Sequence, residues 1–325
     1  MKRQFLKQMA ALAAAASVSP FSLAQSGYPD RMIRVLVPYP PGGSTDPIAR
    51  VLGQKLNDIL GQPMVIENRP GGNTSIACSF IAKAAPDGYN LLFSSVSTHV
   101  IHTIQASLPY DSIRDFAPIA TVSRSGYMLA LHPSVPAKTL AELIAYAKAN
   151  PGKLNYGSAG IGNANHLAGE LFNMSAGVKI THVPYRGTGA AMVDLLAGRV
   201  QMYLSTISSL QQHIDSGALR AIVYTSQPPG KPPVATFEQF GLKDFEKIEL
   251  VTMMLAPRDT PAAVVHKLAE GIRKVLEMTE VRTAFENQNQ TPFFMAPQAL
   301  AERLKNDRAK FTEIVEKASI KLTDS

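Results

Sequence analysis

The chain of 325 residues has one cysteine, no tryptophan and no apolar run of the roughly 20 residues needed to span a bilayer. A lone Cys78 closes no intramolecular disulfide and completes no zinc site by itself, so packed cores must hold the fold. Aromatic residues reach only 7%, and without Trp the usual platform for stacking sugars or bases is thin. Charged residues make up 18% against 46% hydrophobic, the balance of a soluble globular chain, which excludes disorder, collagen and coiled coil. No repeat at a solenoid period is visible. The length suffices for two domains of ordinary size.

Residues 1–24 read as an export signal: a basic start with Lys2, Arg3 and Lys7, an apolar run over 9–18, then Ser22-Leu23-Ala24 with small residues where a signal peptidase cuts. No cysteine follows the run and no twin-arginine pair precedes it, so a free periplasmic protein is expected rather than a lipoprotein. The segment carries three basic residues and no acidic ones. Without it 29 Lys and Arg face 25 Asp and Glu, and the net charge falls from +7 to +4. The remaining basic residues are scattered and often sit beside acids, so no stripe suits a phosphate backbone and no nucleic-acid partner is expected.

From Arg31 onward, β-rich runs alternate with runs of helical period. Strands are predicted over 32–37, 63–67 and 89–93, with helices over 46–60 and 75–85 between them. After a loop around 110–118 come strands over 127–132, 154–156, 180–183, 200–204 and 219–225, with helices over 139–149, 165–175, 190–197 and 208–216. A Pro-rich loop at 227–233 is followed by a strand near 250–255 and helices over 261–278 and 297–318. Such alternation predicts an α/β fold with parallel or mixed sheets and right-handed crossovers. The last helices have no strands of their own and need the first sheet. The expected division is residues 25–124 plus 253–325 as one domain and 125–252 as the other, with two hinge crossings and a cleft that closes on a ligand.

Three Gly-rich turns stand between a strand and a helix. In the first, Gly42 and Gly43 let the backbone approach a ligand, and Ser44, Thr45 and Asp46 are expected to cap the next helix. A helix start offers free N–H groups and the positive end of the dipole, which suits a carboxylate or phosphate, while a plain capped turn explains the same residues. The second, Gly157-Ser-Ala-Gly-Ile-Gly162 followed by His166, lacks the order of a dinucleotide fingerprint, so no nucleotide cofactor is expected. Anion capture by its N–H groups and the Ser158 hydroxyl fits better. The third, Val183-Pro-Tyr-Arg-Gly-Thr-Gly189, adds Tyr185 and Arg186, the latter open to a second reading as a solvated surface charge.

Enzyme readings are weaker. There is no Gly-x-Ser-x-Gly elbow, no His-Glu-x-x-His and no Cys-x-x-Cys. His99 and His102 lie three apart, but no neighbouring acid or third His completes a metal set, and no metal is expected. Cys78 reads as a small buried residue. The rival kept open is a secreted hydrolase with Ser158 as nucleophile and His166 as base.

Several ordered motifs together resemble one family: Tyr28-Pro-Asp-Arg-Met-Ile-Arg-Val-Leu-Val-Pro38, Pro41-Gly-Gly-Ser-Thr-Asp-Pro-Ile-Ala-Arg50, Glu67-Asn-Arg-Pro-Gly71 and Ala84-Ala-Pro-Asp-Gly-Tyr89. The match continues through Asn150-Pro-Gly-Lys-Leu-Asn-Tyr-Gly-Ser-Ala-Gly-Ile-Gly162, His182-Val-Pro-Tyr-Arg-Gly187 and Leu255-Ala-Pro257. The chain is similar to the Bug receptors, extracytoplasmic solute-binding proteins of tripartite tricarboxylate transporters. The resemblance implies a two-domain periplasmic binding protein with a hinged cleft. It implies a monomer that binds a di- or tricarboxylate or related acid for membrane permease subunits or for a sensor protein. It places the cleft on Tyr39, Gly42, Gly43, Ser44 and Asp46, and on Ser158, Ala159, Gly160, His166, Tyr185 and Arg186. Less sharply, it places a wall at 94–97 and 205–208, with Ser95 and Ser205. The chain departs from the family at Gly72-Asn-Thr-Ser75, where further glycines are usual. It departs again at Ser205, where many members have Asp, and at 251–254, where they have Trp and Gly. The missing Asp favours a plain carboxylate over an amino acid.

Overall fold

The computed structural model describes residues 27–105, 108–228, 232–245 and 248–317. The proposed export signal at 1–24 lies outside them. Ten strands join in one continuous sheet of order β2-β1-β3-β9-β4-β7-β5-β6, with β10 and β8 also paired to β4. Its first part holds β1 (Ile33–Val37), β2 (Met64–Asn68) and β3 (Asn90–Ser95), all parallel. Its second holds β5 (Asn155–Ser158), β6 (Thr181–Pro184) and β7 (Met202–Thr206), parallel again, with β8 (Arg220–Tyr224) at the side.

The two parts are joined by antiparallel strands that belong to both. β4 (Phe116–Leu131) is 16 residues long; its first half runs against β9 (Glu249–Pro257) from Phe116 to Gly126, and its second half against β7 and β8 from Tyr127 onward. Its length was not legible beyond 127–132, and the structure shows why: the register shifts between Pro118 and Ala120 and again between Thr121 and Ser123. Each bulge breaks the alternation of inward and outward residues on which a strand reading rests. The short β10 (Thr291–Pro292) pairs with the same strand.

Helices fill both faces. Asp46–Leu60 buries Ile48, Leu52 and Leu56 on one side and ends at Gly61, whose φ of 71° suits the left-handed C-cap. The helix Ala262–Glu277 lays Val264, Leu268, Ile272 and Val275 in the same core as Ile33 and Val35. The C-terminal helix Pro297–Lys317 packs Leu300, Leu304 and Phe311 into a core that reaches from Leu36 to Tyr156 and Phe172. Two helices were not foreseen. Val96–Gln105 opens Val-Ser-Thr-His-Val-Ile, a β-branched run that reads as an extension of β3. Thr279–Glu286 follows a break at Met278, where ψ turns to 132°.

Buried polar groups cluster where the sheet changes partners. Ser123 and Thr252 face each other across β4 and β9, with their hydroxyl oxygens 2.7 Å apart, and the Ser123 hydroxyl donates to Gln290 Oε1 at 2.7 Å. The amide of Gln290, 1% exposed, then donates to the Ser44 carbonyl at 2.6 Å. Gln290→Ala should leave these partners unsatisfied and lower stability by about 1–3 kcal/mol. Urea unfolding checks this: a lower midpoint with an unchanged slope is expected, and an unchanged midpoint would show that the network stabilises nothing.

Candidate functional site

The first turn sits at the C-terminal end of β1. Asp46 opens the following helix and is 5% exposed, yet its carboxylate is fully engaged. Oδ2 accepts from Gly42 N–H at 3.2 Å and Arg50 Nε at 3.1 Å, and Oδ1 accepts from Asn68 Nδ2 at 2.9 Å. Burial alone would raise its pKa, but the hydrogen bonds from Arg50, Asn68 and Gly42 outweigh that and hold it below the usual range. The expected capping by Ser44, Thr45 and Asp46 takes a different form. The N-cap residue Thr45 makes no side-chain cap bond, and Asp46 reaches backward to pin the Gly42 turn. Arg50 and Asn68 thus offset the Asp46 charge at the start of the helix, whose first turn also holds Pro47, a residue without an N–H.

Tyr39 joins this turn to the end of β3. Its hydroxyl lies 3.2 Å from Ser94 Oγ and 3.0 Å from Ser95 Oγ, and accepts from Ser95 N–H at 3.2 Å. The predicted Tyr39, Gly42, Gly43, Ser44, Asp46 and Ser95 therefore form one loop cluster.

A second cluster stands at the ends of β5 and β6. Ser158 is fully buried; its Oγ accepts from Gly160 N–H at 3.2 Å and lies 2.6 Å from His182 Nε2. Gly160 has a φ of 138°, open to glycine alone, which turns the chain back under Ser158. Tyr185 N–H donates to the Ser158 carbonyl at 3.1 Å and Gly187 N–H to the Ala159 carbonyl at 3.1 Å, so the third Gly-rich turn is bonded onto the second. The Tyr185 hydroxyl points to Asp194 Oδ2 at 2.8 Å, and Arg186 is exposed with no ion pair among the described residues. Ser205, at the end of β7, is buried with its Oγ 3.0 Å from Ser209 Oγ.

The hydrolase reading pairs Ser158 with His166; the structure instead sets Ser158 beside His182, which the sequence does not single out as a site residue. His166 stacks behind, its ring 3.9 Å from that of His182 and inclined by 11°, and its Nδ1 accepts from Gly162 N–H at 3.2 Å. Tyr156 stacks on the other face of His182 at 4.9 Å and donates to Glu170 at 2.6 Å. The stack fits because a Cβ at Gly169 would lie 2.2 Å from the Tyr156 ring. The signal for His182 was present in the His-Val-Pro-Tyr-Arg-Gly motif. Asn165, whose Nδ2 donates to the Leu204 carbonyl at 2.7 Å, had no comparable signal.

Away from the loops, Cys78 is buried, its thiol pushed up to about 11 by burial, and His99 is buried with Nε2 2.9 Å from the Ser112 carbonyl. An open depression of about 700 Å³ between Gly152, Glu170, Lys179 and Lys317 lies at the opposite ends of β5 and β6.

A mixed sheet shared by two groups of βα turns, with glycine-rich turns at the strand ends of both, is the arrangement of a periplasmic binding protein. The comparisons narrow the class. The model of the tripartite tricarboxylate transporter family receptor matches residues 48–320, and the chain belongs to that family. It is 35% identical over 299 residues to the protein BugT of Bordetella pertussis, covering 91% of each chain. Among solved structures it is similar to Rpa4515 of R. palustris with adipate, with a TM-score of 0.84, 29% identity and coverage of 90% and 99% of the two chains. It is also similar to MatC of Rhodopseudomonas palustris with bound malate, with a TM-score of 0.80, 30% identity and coverage of 89% and 100%. These are solute-binding proteins, not enzymes, which removes the hydrolase reading of Ser158 and His166. Among the described residues no helix is long and apolar enough to cross a membrane.

The two stacked histidines set a pH dependence. Burial pushes His166 down to about 4, and burial together with neighbouring His166 pushes His182 down to about 3, from an ordinary 6.5. Both are neutral when folded, whereas the unfolded chain takes up protons near 6.5. As pH falls the unfolded chain binds more protons, so stabilisation present above pH 6.5 is lost progressively down to about pH 3–4. Urea midpoints at pH 7, 5 and 4 should fall in that order, and His182→Gln should flatten the decline. An equally steep decline in the variant would show that the imidazole does not carry it.

Proposed function

We propose that the protein is a periplasmic receptor that captures a small organic acid carrying at least one carboxylate, by closure of two lobes. The acid is then handed to the permease subunits of a tripartite tricarboxylate transporter or presented to a sensor protein. One lobe comprises residues 25–124 with 253–325 and the other residues 125–252; the exchange of partners along β4 near Arg124–Tyr127 supports this division. Residues 1–24 act as the export signal, and the mature chain works as a monomer.

The observation that carries this reading is the pair of loop clusters themselves. Each is a glycine-rich helix start whose own acidic or titratable groups are kept neutral or quenched. Asp46 is held by Arg50 and Asn68, and His166 and His182 are uncharged. A carboxylate is then met by N–H dipoles and hydroxyls without an opposing charge. Capture of adipate and malate by the two similar structures supports an acid of this size. Ser205, a hydroxyl rather than an acid, supports a ligand without an ammonium group.

A thermal-shift screen of the refolded protein against malate, adipate, succinate, citrate and aspartate tests the reading. A ligand at a hundred times its dissociation constant adds about 2.7 kcal/mol. For a protein this size that is a rise of several degrees. The expected result is a hit among the plain carboxylates that exceeds aspartate. A flat response to every acid would overturn the assignment.

A further inference from the structure

The loop between β2 and the helix Ser75–Ala82 contains four successive positive φ angles: Gly71 at 125°, Gly72 at 54°, Asn73 at 48° and Thr74 at 82°. Glycines adopt such angles freely and Asn tolerates them, but a β-branched Thr does not. Thr74 is buried, and its hydroxyl makes no hydrogen bond of normal geometry to offset the strain. Strain of this kind persists only where the surroundings impose it, and it collects at functional positions.

What the twisted loop achieves is the aim of one side chain. Asn73 Nδ2 donates to the Ile161 carbonyl at 3.1 Å. Asn73 belongs to the loops around β1, β2 and β3, whereas Ile161 lies between β5 and β6, inside the turn that holds Ala159 and Gly160. Residues on either side of Ile161 are themselves left-handed or extended glycines, Gly160 at 138° and Gly162 at 72°. The bond bridges the two loop clusters, and it is lost once the atoms separate beyond about 3.5 Å.

We propose that Asn73 is a positioning residue that latches the two lobes together in the absence of ligand, holding the Ala159–Gly162 turn against the first lobe. The inference rests on the closure reading above. A single neutral hydrogen bond shifts the closed-to-open ratio by about threefold to tenfold, and with it the closed fraction. The apparent affinity for any ligand of the closed form changes in proportion to that fraction.

The test needs no ligand, so its outcome is separate from that of the acid screen. Spin labels are placed on the exposed helix positions Asp58→Cys and Lys148→Cys, one in each lobe; native Cys78 is buried and does not compete. Asn73→Gly keeps the left-handed backbone and removes the amide. Asn73→Asp keeps the size and sets a carboxylate against the carbonyl. Electron-electron distance measurement on the ligand-free protein should show a short-distance population whose ratio to the long-distance one falls about threefold to tenfold in both variants. Circular dichroism melting confirms that both remain folded. A wild-type distribution without the short distance, or variant distributions that superimpose on wild type, overturns the proposal.

Discussion

The antiparallel pair of β4 and β9 is the constraint on which the rest of the molecule depends. Parallel βαβ units can be extended only by crossovers on one sheet. A chain that builds one set of such units, leaves, builds a second and returns must therefore carry both passages side by side. Here they are hydrogen-bonded from Phe116 with Pro257 to Gly126 with Glu249. Beyond Tyr127 the outgoing strand is claimed by β7 and β8. The interior of the crossing is polar: Ser123, Thr252 and Gln290 satisfy one another, and Gln290 extends the chain of bonds to the Ser44 carbonyl in the first loop cluster. The place where the two parts of the sheet meet is thus bonded directly to a loop of the candidate site.

Charge is managed by the same economy throughout the site. A buried ion without a partner is costly, and a fixed charge near an anion site either repels the ligand or holds it too firmly. Asp46 is buried, but Arg50 and Asn68 spend its charge locally. The imidazoles of His166 and His182 are stacked and uncharged, serving as flat filler between Tyr156 and the Gly160 turn. Arg186 is the one cation among the predicted site residues, and it is exposed with no ion pair among the described residues. The remaining groups of the two loop clusters are dipolar: helix starts, Ser and Tyr hydroxyls, and glycine backbone. Such groups orient an anion at little desolvation cost, which suits the proposed role of a receptor that must also release its ligand.

Much of this was legible in the chain. The helix Asp46–Leu60 carries its apolar residues at a clean helical period and ends on Gly61, so its bounds were read without error. The three Gly-rich turns announced themselves because positive φ at Gly42, Gly160 and Gly187 demands glycine. Other features were hidden for physical reasons. The first half of β4 contains Pro118 and two register shifts, which erase its period. The helix Val96–Gln105 is built from Val, Ser, Thr and Ile, whose local preference points to strand, and tertiary packing overrides it. Contacts between distant segments leave no local trace. The pairing of Ser158 with His182 rather than His166 follows from β5 lying beside β6, where Tyr156 is in register with His182. The partners of Asp46 at Asn68 and of Ser44 at Gln290 likewise follow from topology.

The bond from Asn73 to the Ile161 carbonyl joins the loop clusters through neutral groups. To carry a two-state equilibrium from nearly all open to nearly all closed, a ligand must favour the closed state by about 10⁴-fold. On the proposed reading, a bond such as that from Asn73 to the Ile161 carbonyl shortens that distance, because part of closure is supplied by the chain. It also erodes the signal, since a membrane partner that reads closure must tell loaded receptor from empty. A charged pair buried between the lobes would supply closure and abolish the distinction together. One neutral amide against a carbonyl, reached through a loop strained at Thr74, is small enough to move the equilibrium toward the midpoint, leaving the larger share to the acid. On the proposed reading, the interlobe bond and the dipolar loops are two parts of one balance: the chain would bring the lobes near each other, and the bound carboxylate would decide whether they stay.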